Sequence, residues 1–159
     1  MRRLLAAVAA LLALAILGST GFVAVLHAQK RRKVAACAGN LRTLWKGIHA
    51  SISLRATRGP MPTLPGGKEF WGHLRGTTPP ILDRDAAFVC PVRGDFVPGE
   101  VQYLGPAGPV TRIADGSPVG CDEAGNHRWG GGNVLVKSGS VVESSGALWE
   151  RCMKGACVP

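Results

Sequence analysis

The chain has 159 residues, and glycine (22) and proline (11) together make up about a fifth of it, against a typical ~12%. With an apolar N-terminal segment of about 30 residues set aside, there is room for one small, turn-rich domain and not for two. The net charge of +9 suggests nucleic acid only until it is placed. Arg2, Arg3, Lys30, Arg31, Arg32 and Lys33 lie in the first 33 residues with no acid among them, and the other 13 Lys and Arg face 10 Asp and Glu. That distribution puts the surplus beside lipid headgroups and excludes the basic, aromatic-studded face of a nucleic-acid binder.

Leu4 to Leu26 is an uncharged run whose only polar side chains are Ser19 and Thr20. About 23 residues at ~1.5 Å rise give roughly 34 Å of helix, enough to cross a hydrocarbon core of ~30 Å. A transmembrane segment is therefore expected over 1-29, anchored from Leu4 to Leu26. A globular domain is expected over 30-159, including the amphipathic continuation of the same helix. The alternative is a signal peptide cut near Ser19-Thr20-Gly21. The apolar residues Phe22 to Leu26 run on past that site, which favours a retained anchor. The larger basic cluster follows the apolar run, which favours a cytoplasmic domain by the positive-inside rule. The cysteine content favours the opposite, oxidising side.

From Val34 the apolar positions are Val34, Cys37, Leu41, Leu44, Trp45, Ile48 and Ile52, in steps that trace one face of a helix. Leu41, Leu44, Trp45, Ile48 and Ile52 are expected to form a core face against a sheet. Gly59-Pro60 ends the helix between Leu54 and Arg58. Lys68 to Arg75 predicts a short helix with Phe70, Trp71 and Leu74 on one face. Ala86 to Pro91 predicts a strand ended by proline, Val101 to Leu104 a second and Pro118 to Cys121 a third. Asn133 to Lys137 alternates, Ser138-Gly139 turns, and Ser140 to Glu143 returns as a hairpin partner. Ala147 to Cys152 predicts a last helical turn. The expected class is α+β, with a long N-terminal helix on a small antiparallel sheet that ends in a β-hairpin.

Five cysteines without a C-x-x-C spacing exclude the zinc-ribbon and thioredoxin-like signatures. Cys152 and Cys157 close the short loop CMKGAC and are the first disulfide candidates, with Cys90 and Cys121 next. Cys37 is then the odd thiol, buried as a small apolar residue.

Four stretches carry a family likeness. Cys37-Ala38-Gly39-Asn40-Leu41-Arg42-Thr43-Leu44, directly after an apolar helix and basic residues, resembles the C-x-N-N-L-(R/K)-Q-L stretch of prepilin-like proteins of planctomycete type. Phe88-Val89-Cys90-Pro91 is similar to their F-x-C-P, and Tyr103-Leu104-Gly105-Pro106 to their Y-L-G-P. Gly125-Asn126-His127 and Gly130-Gly131-Gly132-Asn133-Val134-Leu135-Val136 resemble their C-terminal His-x9-Asp-Gly signature. The signature is degenerate here. One residue more separates His127 from Ser138-Gly139, and serine replaces the Asp. The prepilin leader and the fifth-position Glu are not matched either: Gly21-Phe22 comes late and Leu26 stands where the Glu would fall. The resemblance implies a pilin-like or pseudopilin-like fold. It also implies a structural role in or near a type II secretion or type IV pilus-like machine, with like subunits or machinery components as partners. The implied location is the bacterial inner membrane, single-pass, with the domain on the periplasmic or extracytoplasmic side.

No catalytic residue and no cofactor is expected. The weak metal candidates are Asp115, Asp122 and His127, with Glu123 nearby. Calcium on Asp115, Asp122 and backbone carbonyls falls short of the six to eight oxygens that ion takes. The alternative role for His127 is to order the Gly130-Gly131-Gly132 loop by backbone hydrogen bonds. Those glycines are read as a turn needing positive φ and not as a phosphate loop, which would continue into Lys-Ser/Thr and a helix. A nucleophile pair of Cys121 or Cys90 with His127 or His73 needs an aligned base, which spacing does not supply. Trp129 is read as a lid over the sheet or a contact residue. The expected function is a non-catalytic membrane-anchored assembly protein; the alternative is a disulfide-stapled binding module secreted after signal cleavage.

Overall fold

The fold is described from a computed structural model. It covers residues 1–56, 64, 66–76, 80–82, 84–95, 97–106, 110, 113–127 and 131–153, with positions 4, 55 and 56 described by their backbone alone. Helix α1 is Arg2–Ala56, strand β1 is Tyr103–Leu104, β2 is Pro118–Asp122, β3 is Gly132–Val136 and β4 is Val141–Ser144. Two short helices, α2 (Gly67–Gly72) and α3 (Ala147–Arg151), and a 3-10 turn at Asp85–Phe88 complete the described elements. The chain divides into two units, Met1–Lys33 and Val34–Pro159.

In the first unit α1 is exposed, Leu26 included. Its Ala- and Leu-rich sequence favours helix. The two polar side chains of the apolar run turn back on it: Ser19 Oγ donates to Ile16 O at 2.8 Å and Thr20 Oγ1 to Leu17 O at 2.9 Å. Both hydroxyls are thus satisfied without water, as a hydrocarbon surrounding requires. Among the described residues this is the one helix long and apolar enough to cross a membrane. Its apolar window is wholly exposed, unlike the core helix of a soluble protein, while its length and composition suit an anchor and a signal sequence alike.

In the second unit α1 presents the predicted stripe inward. Val34, Cys37, Leu41, Leu44, Trp45 and Ile48 are buried, and Ile52 packs at the edge of the same cluster. They meet Phe70 and Trp71 of α2, Leu74 just beyond it, Phe88, Tyr103, Val119 and Leu135. The sheet is an antiparallel meander in the order β1-β2-β3-β4. Tyr103 pairs with Asp122, Cys121 with Val134 and Leu135 with Val141, and the β2–β3 register shifts between Pro118 and Gly120. Side chains alternate across a strand, which puts Leu135 in the α1 cluster and Val134 opposite, and the irregularity between Pro118 and Gly120 brings Val119 into the α1 cluster too. Val134, Cys121 and Leu104 face the other way, onto a second cluster with Leu148, Trp149, Cys152 and Met153. The sheet is therefore a middle layer, with α1 and α2 on one side and α3 on the other.

The segment expected as a strand at Ala86 to Pro91 is instead the 3-10 turn followed by an extended Val89-Cys90. Its carbonyls have been claimed by side chains. Asn40 Nδ2 of α1 donates to both Ala86 O and Val89 O at 2.9 Å, and Tyr103 Oη donates to Val89 O at 3.2 Å. Gln102 completes the clamp, its N–H on Phe88 O at 2.8 Å and its Oε1 accepting from Cys90 N–H at 2.9 Å. Two glycines are fixed by close approach. A Cβ on Gly120 would lie 2.7 Å from Trp71 Cζ2, and one on Gly105 2.7 Å from Phe70 Cβ.

Candidate functional site

Four side chains from four parts of the chain converge beneath α1. Cys37 comes from the buried stripe of α1, and Cys90 from the extended residues that Asn40 and Gln102 clamp. Asp122 ends β2, on the face opposite Cys121. His127 follows after a turn closed by Asn126 N–H on Glu123 O at 3.1 Å, with Gly125 at φ +88°. All four are buried, and their ligand-capable atoms lie within 4.8 Å of one another.

The contacts form a ring. Cys37 Sγ is 2.8 Å from Cys90 Sγ and 2.9 Å from Asp122 Oδ1. Asp122 Oδ2 is 2.9 Å from His127 Nε2, which lies 3.7 Å from Cys90 Sγ. An outer layer holds the ring in place. Asn133 N–H donates to Asp122 Oδ2 at 2.6 Å, and Tyr103 Oη lies 3.3 Å from Cys37 Sγ. Asn133 Nδ2 donates to Val34 O at 3.3 Å, which ties β3 to α1 one turn before Cys37.

Electrostatics separates the two thiols. Burial pushes Cys37 far above the ordinary thiol range, reinforced by its contacts with Cys90 and Asp122. Cys90 is lowered to about 6, chiefly because Cys37 donates to it, with His127 adding to the effect against the opposing burial. Burial works against a charge on His127, but its hydrogen bonds to Asp122 and Cys90 outweigh that and raise it to about 9. Tyr103 is pushed up by burial and by Cys37, and stays a neutral phenol.

No family model matches this chain, and no curated protein or solved structure is similar to it. The site is accordingly read from its own geometry.

Of the expected metal residues, Asp122 and His127 come together, but Asp115 does not join them. Asp115 is exposed and pairs with Lys137 Nζ at 3.0 Å. Glu123 turns away to Lys68 at 2.6 Å and Arg93 at 3.8 Å. The calcium set is therefore not assembled, and the group that does assemble carries two sulfurs. The Cys90–Cys121 disulfide expectation is overturned as well: both are free thiols. Cys121 lies on the other face of the sheet and donates to Met153 Sδ at 3.6 Å, whereas Cys90 meets Cys37. Cys37 is buried and free but is no inert apolar residue, since it touches a thiol, a phenol and a carboxylate. Cys152 is disulfide-bonded; Cys157 lies outside the described residues.

His127 meets Asp122 and Cys90, a role beyond ordering the glycine loop. Trp129 and Gly130 lie outside the described residues. Gly131 and Gly132 do not have positive φ; they are required by close approach. A Cβ on Gly131 would lie 2.5 Å from Ser144 O, and one on Gly132 2.9 Å from Asp122 Cβ. Gly132 thus leaves the room that Asp122 occupies.

Cys90, His127 and Asp122 have the composition of a nucleophilic triad but not its wiring. A triad puts the nucleophile on one ring nitrogen and the carboxylate on the other. Here both meet Nε2, and all three groups are buried. Sequence reasoning missed the partnership of Cys37 with Cys90. The signal present was the pairing of Cys37-x-x-Asn40 with Phe88-Val89-Cys90-Pro91, because Asn40 and Cys37 lie one turn apart and address the same segment.

Proposed function

We infer that this chain is a membrane-anchored, pilin-like structural protein, without catalytic activity, that assembles with like subunits or with components of a type II secretion or type IV pilus-like machine. The observation that carries this reading is the division of labour along α1. One uninterrupted helix, Arg2–Ala56, has an exposed apolar stretch with no unsatisfied hydroxyl, followed by a stripe that forms the core of an α+β domain. The four motifs that resemble prepilin-like proteins support it further. The wiring of His127 and the burial of both thiols argue against nucleophilic catalysis. The proposed location is the bacterial inner membrane, single-pass, with the domain on the extracytoplasmic side.

The test is purification from native membranes with cross-linking and intact-mass measurement. The expected result is carbonate-resistant retention, an N-terminus that keeps the apolar segment, and cross-links to copies of the chain or to secretion or pilus components. A mature protein lacking roughly 21–28 N-terminal residues, the length of a signal peptide, would instead establish the secreted binding module. The disulfide at Cys152 favours that second reading as much as the first.

A further inference from the structure

We propose that Cys37, Cys90, Asp122 and His127 form a closed, four-coordinate structural site for Zn2+ that fastens α1 to the sheet. The site does not depend on the membrane reading, since it lies wholly within the second unit of the chain.

The four side chains crowd one another around a common centre. Four edges join the four side chains, at 2.8, 2.9, 2.9 and 3.7 Å. Cys37 has one S–H but faces both Cys90 Sγ at 2.8 Å, well inside the van der Waals contact of two sulfurs, and Asp122 Oδ1 at 2.9 Å. His127 Nε2 likewise faces both Asp122 and Cys90. A cation at the centre satisfies all four edges at once. Zn–S bonds of ~2.3 Å and Zn–N or Zn–O bonds of ~2.0–2.2 Å in tetrahedral array need ligand–ligand edges of roughly 3.3–3.8 Å. Three of the four contacts are shorter than that range and the fourth falls within it, and all ligand atoms lie within 4.8 Å of each other, so small outward rotations of the side chains make the fit.

The donor set selects the metal. Two thiolates, one imidazole and one carboxylate suit a borderline-soft ion and not calcium or magnesium, which take oxygen. On binding, Cys37 and Cys90 ligate as thiolates and His127 through an unprotonated Nε2, and every proton those three atoms carry passes to solvent. No oxidation state changes. The support around the ligands is what a metal site requires. Asn133 N–H holds Asp122 Oδ2, Tyr103 Oη abuts Cys37 Sγ, and Gly132 leaves the volume that Asp122 fills. All four protein ligands are buried, so no position is left open to water, and the role is structural. A Cys37–Cys90 disulfide would use two of the four groups and would leave the Asp122–His127 pair buried with no further task; it is the rival that the experiment must exclude.

The experiment uses the full-length chain, isolated in detergent without added reductant. Elemental analysis is expected to find about one zinc per chain. Both thiols should resist alkylation until a chelator removes the metal. Replacing zinc with Co2+ should give sulfur-to-cobalt charge-transfer absorption and the intense visible bands of a tetrahedral ion. Zinc content should fall at least tenfold in Cys90→Ser and His127→Gln, and stay at the wild-type level in Asp115→Asn. The wild-type readouts decide the matter even where a ligand variant fails to fold. A peptide cross-linked between Cys37 and Cys90 overturns the proposal. So do two free thiols in a metal-free chain that takes up no Zn2+ when one equivalent is added, and so does Co2+ binding without a sulfur-to-metal band.

Discussion

Asp122 is a node of the buried polar structure. Its carboxylate accepts from Asn133 N–H and meets Cys37 and His127, with no solvent exposure to offset the loss of a partner. Asp122→Ala leaves three groups facing a void, and breaking a buried pair in this way costs about 3–5 kcal/mol. The expected outcome is a large drop in the unfolding midpoint of the full chain in detergent, followed by near-ultraviolet circular dichroism. Asp115→Asn, at an exposed pair with Lys137, should leave the midpoint where it was. A second residue-scale test is Gly120→Ala. The added methyl would lie 2.7 Å from the Trp71 ring and 3.1 Å from Leu104 O, overpacking that costs about 1–3 kcal/mol. The same melt reads it, and an unchanged midpoint would show that Trp71 has somewhere else to go. Sequence alone gave no hint of this constraint: Gly120 sits in a predicted strand, and its need for no side chain comes from a tryptophan far away in the chain.

At the scale of elements, α1 was the most legible part, because its buried stripe repeats along one face and periodicity is a local signal. The same holds for the hairpin of β3 and β4, where Val and Leu alternate and Ser138-Gly139 turns, with Gly139 at φ +86°. The 3-10 segment was not legible. Phe88-Val89-Cys90 has strand composition, and what denies it a strand is Asn40. The cysteine pairing failed for a related reason. Spacing favours short loops, while Cys37 and Cys90 are joined by the docking of a helix on a segment with no periodicity of its own. Two substitutions test the helix. Trp45→Ala removes a buried ring from the α1 face and should cost about 3–5 kcal/mol; a near-neutral result would show a face free for partners. Asn40→Ala removes the side-chain donor of Ala86 O and one of the two on Val89 O, at about 1–3 kcal/mol for a group that water does not reach. Hydrogen exchange should show the loss first at residues 87–90, whose backbone the clamp fixes, before α1 itself exchanges.

For the whole molecule, two signals conflict over which side of a membrane would hold the domain of the proposed anchored protein. Lys30, Arg31, Arg32 and Lys33 follow the apolar stretch, against Arg2 and Arg3 before it, and the positive-inside rule would retain the larger cluster in the cytoplasm. The disulfide at Cys152 points the other way, because such bonds persist in oxidising compartments. The three remaining described cysteines are buried free thiols, shielded from either environment, so they do not weaken that signal. The charge rule is a bias on insertion, and the proposed anchor offers it one helix on which to act. The disulfide is a chemical state that the cytoplasm would reverse. The extracytoplasmic side is therefore the expected outcome. Protease added to intact spheroplasts should remove the domain and leave a protected fragment containing the apolar part of α1. Protection of the whole chain until the membrane is lysed would place the domain in the cytoplasm, and the proposed assembly with an extracytoplasmic machine would fall with it.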